Sequence, residues 1–376
     1  MSLLQCQAMN YDWGKVGQSS FVYQLLENSG KTDLDSTKPF AELWIGDHDK
    51  APSLLDNGKR LKDDERFGEI NYLFKVLSVN KPLSIQVHPP KEQAVELHKI
   101  DPLNYPDEND KPEMAVAITK LSLLYGFRSF QQIKQFITQF AELAKAIGED
   151  VANKFVEQPN SANLELLVQS LLFKPKDFIK GVAEELVLKI MKGEYHFEPS
   201  VLNAFTAINR YFPGDVGIFF PLILNVVECN PGSALYIPAG ILHAYLEGDL
   251  YEAMHLSDNV VRAGMTPKFI DIKSISKTVN FVPQVPFVVE PKEEKFVKSY
   301  IPPHPVFCIE YINVPANEIA TVEFKSSTCA IIQNGIASIN GIISKVGNVF
   351  AIPKGQINIE NKSNEPFIAV VCHSNN

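Results

Sequence analysis

Twice in its 376 residues the chain uses the same punctuation: a glycine, five residues, Pro-x-Gly, two residues, then a polar side chain. The copies are GSALYIPAGILH, from Gly232 to His243, and GNVFAIPKGQIN, from Gly347 to Asn358. In each, a β-rich run feeds a turn whose Pro and Gly fix and free the backbone in the places a sharp reversal needs. The strand after the turn then presents the polar residue. Such a repeat predicts two similar β units within one chain. The first keeps an imidazole, His243, at the presented position, and the second has Asn358 there.

The flanking sequence agrees with a mainly β protein. Short β-rich runs are predicted at Leu73–Val79 and Leu83–Val87, separated by an Asn80-Lys81-Pro82 turn, then at Ala115–Ile118 and Leu121–Tyr125. Further runs follow at Gly217–Phe220, Asn225–Glu228 and Ala234–Ile237, and beyond Pro283 the pattern is strand-like throughout. Between them, Phe127 to about Tyr211 turns helical. Ile133, Phe136, Ile137, Phe140, Leu143, Ala144 and Ile147 form one apolar stripe at three- and four-residue steps. Leu164, Leu167, Val168, Leu171 and Leu172 repeat it, as do Phe178, Val182, Leu186 and Ile190, with Pro159, Pro175 and Pro199 between segments. The reading is a helical insertion acting as scaffold.

Composition excludes several classes. With 35 Lys+Arg against 44 Asp+Glu the net charge is −9, which disfavours a nucleic-acid partner held by general electrostatics but permits a local basic pocket. Five scattered cysteines with no CxxC pair argue against a disulfide framework or a cysteine zinc site. The start lacks the pattern of a secretory signal, and the longest apolar run, near Gly217–Val227, is broken by Pro221 and Asn225 and is too short for a membrane span. A reducing cytoplasm and no membrane partner are expected.

Candidate chemistry gathers in a few places. Gln86 and His88, in LSIQVHPP, are two apart on a strand and share a face. Glu113 heads another strand in KPEM, and His243 follows the Pro-x-Gly turn. Taken singly each has an ordinary structural explanation. Together they offer an amide oxygen, two imidazoles and a carboxylate, a donor set that suits zinc and also admits manganese-like ions. Lys111 shares the face of Glu113 and Tyr245 that of His243, so both are candidates to line a pocket.

The Pro-x-Gly repeat resembles the second motif of the cupin family of β-barrels. More specifically, NYDWGKVG, AELWIGDH, PLSIQVHPPKEQA, YPDENDKPEMAVAIT, LYGFR, GSALYIPAGILHAYLEGDLYEAM and SDNVVRAGMTPKFIDI resemble, in order and spacing, the type I mannose-6-phosphate isomerases. The resemblance runs from about residue 10 to 273 and implies two cupin-like (jelly-roll) units. One, catalytic, is assembled from 1–125 and 212–285; the insertion is 126–211; the C-terminal unit, 286–376, is metal-free. It implies a zinc enzyme, one Zn²⁺ per chain, that interconverts mannose 6-phosphate and fructose 6-phosphate through an enediol and supplies mannose for GDP-mannose and glycan synthesis. The implied metal ligands are Gln86, His88, Glu113 and His243, the set the spacing had picked. Arg262, in SDNVVRAG, is the implied catalytic arginine, able to stabilise the enediolate or hold the phosphate. Lys268 is a candidate phosphate contact and Glu252 a candidate for proton transfer. Asp12 and Trp13 are candidates to close the site over the sugar phosphate. A monomer is expected. Two departures from the family pattern flank the site: Asp110 stands where a histidine is common, and His255 where a small residue is common. An iron-dependent cupin oxygenase and a sugar-phosphate-binding regulator are the rival readings.

Overall fold

A computed structural model describes residues 1–268 and 270–375. The protein is mainly β, and one strand organises its first half. His243–His255 is unusually long, and it changes partners along its length. Residues from His243 to Glu247 pair with Leu121–Phe127, while Gly248–His255 pair with Tyr72–Val79 and, on the other edge, with Glu113–Ala117. Its first residue also meets Gln86 of Ile85–Val87. The crossing falls at Gly248, whose φ is +130°; a Cβ there would lie 2.7 Å from the Lys120 carbonyl oxygen and 2.9 Å from Leu121 Cα. Only a residue without a side chain lets the strand leave one sheet and enter the next.

Period-two alternation then sorts the side chains into layers. On one side, Ala244 and Leu246 join Leu124, Val87 and Val261 in a core shared with the helical region. On the other, Tyr245 joins Leu123, Tyr125, Leu77, Val79, Ala115 and Leu250 in an inner layer. The opposite faces of the second group of strands, with Phe74, Val76, Met114, Val116 and Tyr251, pack against Ile309, Ile331, Ala351 and Val370 of the C-terminal sheet. That sheet faces a four-stranded sheet across a third core around Ile312, Phe324, Ile339 and Val371. Glu113 and Glu252 follow the inner-layer parity of Ala115 and Leu250 and His243 that of Tyr245; a register shift in the ladder between Tyr245 and Glu247 switches the parity along the strand and so brings the three together.

The helical region comprises Phe130–Gln139, Ala141–Ile147, Glu149–Glu157, Ser161–Phe173, Lys176–Met191 and Pro199–Tyr211. Ser129 opens it with a capping box completed by Gln132, and Pro199 occupies a first-turn position where its missing N–H costs nothing. Among the described residues no helix is long and apolar enough to cross a membrane.

Four details differ from the sequence expectation. The stripe from Ile133 to Ile147 belongs to two helices, because Phe140 leaves helical geometry (φ −113°, ψ 97°) to plug the core. Phe178 is exposed, with Ile179 buried in its place. Gly217–Phe220 lies in a 3₁₀ helix, Val216–Leu222, instead of a strand: Asp215 accepts from the Gly217 N–H at 2.7 Å and caps it, and a short buried apolar run carries no periodicity to betray this. The first strand, Ser2–Gln5, expected with the unit 1–125, pairs with Leu54–Leu55 of that unit on one edge and with Val349–Ile352 of the C-terminal sheet on the other.

Gly248→Ala is expected to cost about 3 kcal/mol, from a disfavoured φ plus a backbone clash. A urea midpoint unchanged from wild type would contradict the assigned crossing.

Candidate functional site

Three buried side chains converge at the inner layer. His88 Nε2 lies 3.3 Å from one oxygen of Glu113, and His243 Nε2 lies 3.2 Å from the other. Neither contact is aligned as a hydrogen bond, so both Nε2 atoms and Glu113 Oε2 are buried without a hydrogen-bond partner. Leaving such atoms unsatisfied costs about 1–3 kcal/mol each. The other ring nitrogens are committed: His88 Nδ1 bonds the Asn259 carbonyl at 2.7 Å and His243 Nδ1 the Ile241 carbonyl at 2.9 Å. Those bonds place the proton on Nδ1 and aim both Nε2 lone pairs inward, the arrangement of metal-binding imidazoles. Ligands about 2.1 Å from a tetrahedral ion stand about 3.4 Å apart, close to the spacing found. The residues present therefore fit a divalent cation.

Local structure explains the placement. The turn before His243 is tied to the other histidine, since Gly240 N–H donates to the His88 carbonyl at 2.8 Å. Gln86 stands opposite His243 and Arg262 in the ladders and lines the cleft above the cluster. In the second repeat copy Asn358 is exposed and accepts from Thr321 Oγ1 at 2.8 Å.

Charge balance sets the electrostatics. Burial pushes His88 down to about 4, with Lys111 adding to the effect, so the imidazole is neutral at pH 7 as a ligand must be. Burial opposes ionisation of Glu113, yet Lys111, whose Nζ is 3.2 Å away, and the two histidines hold its carboxyl well below the usual range. Glu252 moves the other way: burial raises it even though Lys75 Nζ is 3.1 Å distant. Burial also lifts Tyr245, whose hydroxyl sits near the Glu252 and Glu113 carboxylates.

A cleft of about 300 Å³ opens beside the cluster and reaches it at Glu113. Gln86, Lys111, Glu113, Tyr245, Glu252, Arg262, Lys268 and Trp13 all border it, and Trp13 is stacked on Tyr11 at 5.9 Å. Arg262 is half-buried and, among the described residues, forms no ion pair with Asp258 or Asp271; Asp258 is taken by His48 and Lys50. Lys268 is exposed at the rim. Asp12 does not border the cleft: its side chain is 91% exposed and pairs with Lys81 at 3.4 Å. His255 does not border it either. It bonds Asp110 at 2.9 Å, with His304 Nε2 4.0 Å from the same carboxylate, so the two departures from the family pattern are partners of each other.

Sequence reasoning missed Lys75 and Glu42. Lys75 Nζ lies 3.8 Å from Glu42 as well as 3.1 Å from Glu252, and it sits over the Trp44 ring at 5.2 Å. The available signal was a lone charged residue, Lys75, in the strand YLFKVLSV, matched by a lone glutamate in LYEAM; the two are directly paired across the strands.

Fold and site are those of a metal-dependent enzyme built on β-sheets, with cations lining a small polar cleft. The family model described as phosphomannose isomerase type I, catalytic domain, matches residues 1–130. The chain is 35% identical to the mannose-6-phosphate isomerase of Schizosaccharomyces pombe, covering 85% of this chain and 88% of that protein. It is 33% identical to the mannose-6-phosphate isomerase of Rattus norvegicus, covering 94% and 92%. A crystal structure of mannose 6-phosphate isomerase from Salmonella typhimurium bound to substrate (f6p) and zinc superposes with a TM-score of 0.79 at 28% identity, covering 100% of this chain and 99% of that one. The chain belongs to the type I mannose-6-phosphate isomerases.

Lys75→Met strands two buried carboxylates and is expected to cost about 3–5 kcal/mol. Adding Glu252→Gln should recover a large part of the loss in urea denaturation; equal losses for the single and double variants would contradict the charge balance.

Proposed function

We propose that this chain interconverts mannose 6-phosphate and fructose 6-phosphate, with Zn²⁺ held by Gln86, His88, Glu113 and His243. The observation that carries the reading is the set of three buried, unpartnered ligand atoms on His88, Glu113 and His243, beneath a cationic cleft, in a chain of this family. When bound, the ion supplies a Lewis acid that polarises the open-chain carbonyl. Glu113 is the one anionic ligand, so the ion keeps net positive charge.

The chain's own residues account for the rest. Moving a proton between C1 and C2 through an enediol needs a carboxylate whose affinity for protons is raised, and burial does this to Glu252. Lys75 holds that carboxylate in place from the side. Arg262 lies opposite Gln86 in the ladder and has no carboxylate partner among the described residues, so its guanidinium is free to stabilise the enediolate oxygen. Lys268, at the rim, holds the phosphate as a point charge. Lys111 and Tyr245 contact sugar hydroxyls, and Trp13 forms an apolar wall. Asp12, exposed and paired with Lys81, takes no part.

The same reading extends to the whole chain. The two β halves are cupin-like units, the catalytic one from 1–125 and 212–285 apart from its first strand, and the C-terminal one from 286–376, with 126–211 inserted. The enzyme works as a cytoplasmic monomer and supplies mannose for GDP-mannose and glycan synthesis.

The test follows fructose 6-phosphate formation from mannose 6-phosphate before chelation, after it, and with zinc restored. Activity should vanish and return. Arg262→Ala should lower kcat by about 10²-fold or more, whereas Lys268→Ala should chiefly raise KM. Folded, zinc-loaded protein without turnover would sink the isomerase reading and favour a sugar-phosphate-binding protein.

A further inference from the structure

The C-terminal half holds a second group of metal-ligand side chains. Cys308 and His373 are direct register partners at one end of the C-terminal sheet, and Glu310 lies two residues from Cys308 on the same face. Their ligand atoms all lie within 4.8 Å of one another. Cys308 Sγ is 3.4 Å from His373 Nε2 and 3.5 Å from Nδ1, and Glu310 Oε2 is 3.2 Å from Nε2. Without a metal the three side chains satisfy one another, and Cys308 Sγ also donates to the His373 carbonyl at 3.6 Å. His373 Nδ1 bonds the Ser374 carbonyl at 2.8 Å, which leaves Nε2 to face Glu310. Ser299 Oγ donates to Glu310 Oε1 at 2.7 Å, which turns Oε2 toward the cluster. With sulfur about 2.3 Å and nitrogen or oxygen about 2.1 Å from a tetrahedral ion, S···N and N···O separations are about 3.6 and about 3.4 Å. The N···O distance falls just short of this, while Sγ lies beside the ring at nearly equal distances from both nitrogens, so the imidazole must turn for Nε2 and Sγ to share an ion. Cys308 is buried, while the His373 and Glu310 side chains are 14% and 16% exposed, which leaves an ion a way in.

We propose that Cys308, Glu310 and His373 form a second divalent-cation site, of zinc type, that clamps the two strand ends of the C-terminal sheet. This unit, expected to be metal-free because Asn358 replaces the histidine of the repeat, thereby carries a site on different strands. One thiolate and one carboxylate neutralise a divalent ion, and a water completes four-coordination. Binding releases the thiol proton and one proton from the imidazolium that the metal-free pair with Glu310 favours. Burial alone would lower that imidazolium's pKa, but Cys308 and Glu310 hold it up at about 10.

Cobalt(II) titration of the full chain tests this, because thiolate-to-cobalt charge transfer absorbs in the near ultraviolet and the site at Glu113 has no sulfur. The band should saturate at one ion per chain and persist in His88→Gln. It should vanish in Cys308→Ser and His373→Gln, each shown folded by circular dichroism, and binding should weaken about tenfold in Ser299→Ala. Absence of the band, its survival in Cys308→Ser, or its appearance only at millimolar cobalt would overturn the proposal. Any of these results leaves the isomerase reading to its own test.

Discussion

The strand His243–His255 is the member on which the rest of the molecule depends. Its first residues close one sheet and its last residues build another, and the handover is possible because Gly248 has no side chain. One end presents His243 and Tyr245, and the middle presents Glu252 on the same inner layer. Neighbouring ladders fix the register of the partners: Gln86 opposite His243, Lys75 opposite Glu252, Glu113 opposite Met254. A shift of one residue would turn every one of these side chains to the other face, so the site is specified by the sheet's own hydrophobic alternation.

Burying Glu42, Glu113 and Glu252 so close together would be prohibitive without compensating cations. The structure divides the task. Lys75 lies between Glu42 and Glu252, and Lys111 beside Glu113. The result is two carboxylates pushed in opposite directions, Glu113 toward ionisation and Glu252 toward protonation. Such divergence is what the proposed division of labour requires, with Glu113 holding a metal and Glu252 moving a proton. Arg262 stands apart as a half-buried cation that finds no carboxylate among the described residues, which suits it to charge supplied by a substrate.

Much of this was legible in the sequence, for identifiable reasons. The Pro-x-Gly turn marked His243, a local signal that tertiary packing did not override, and the histidine of LSIQVHPP joins it in the cluster. The residues that escaped, Lys75 and Glu42, are meaningful only through partners on distant strands. Asp110 and His255 stand out singly against the family pattern, but 145 positions separate them and nothing local shows that they pair. The 3₁₀ segment Val216–Leu222 and the break at Phe140 escaped because buried apolar runs look alike whatever their backbone. The route of Ser2–Gln5 into the C-terminal sheet depends on a pairing that no local pattern announces.

The central claim is that the inner layer's alternation builds a metal site at the foot of the cleft. Zinc-edge anomalous diffraction from crystals of the zinc-loaded chain tests it most directly. The account predicts a peak bounded by His88 Nε2, His243 Nε2 and the Glu113 carboxylate, with the Gln86 side chain turned toward it. A zinc-loaded, active protein with no peak at that position would contradict it.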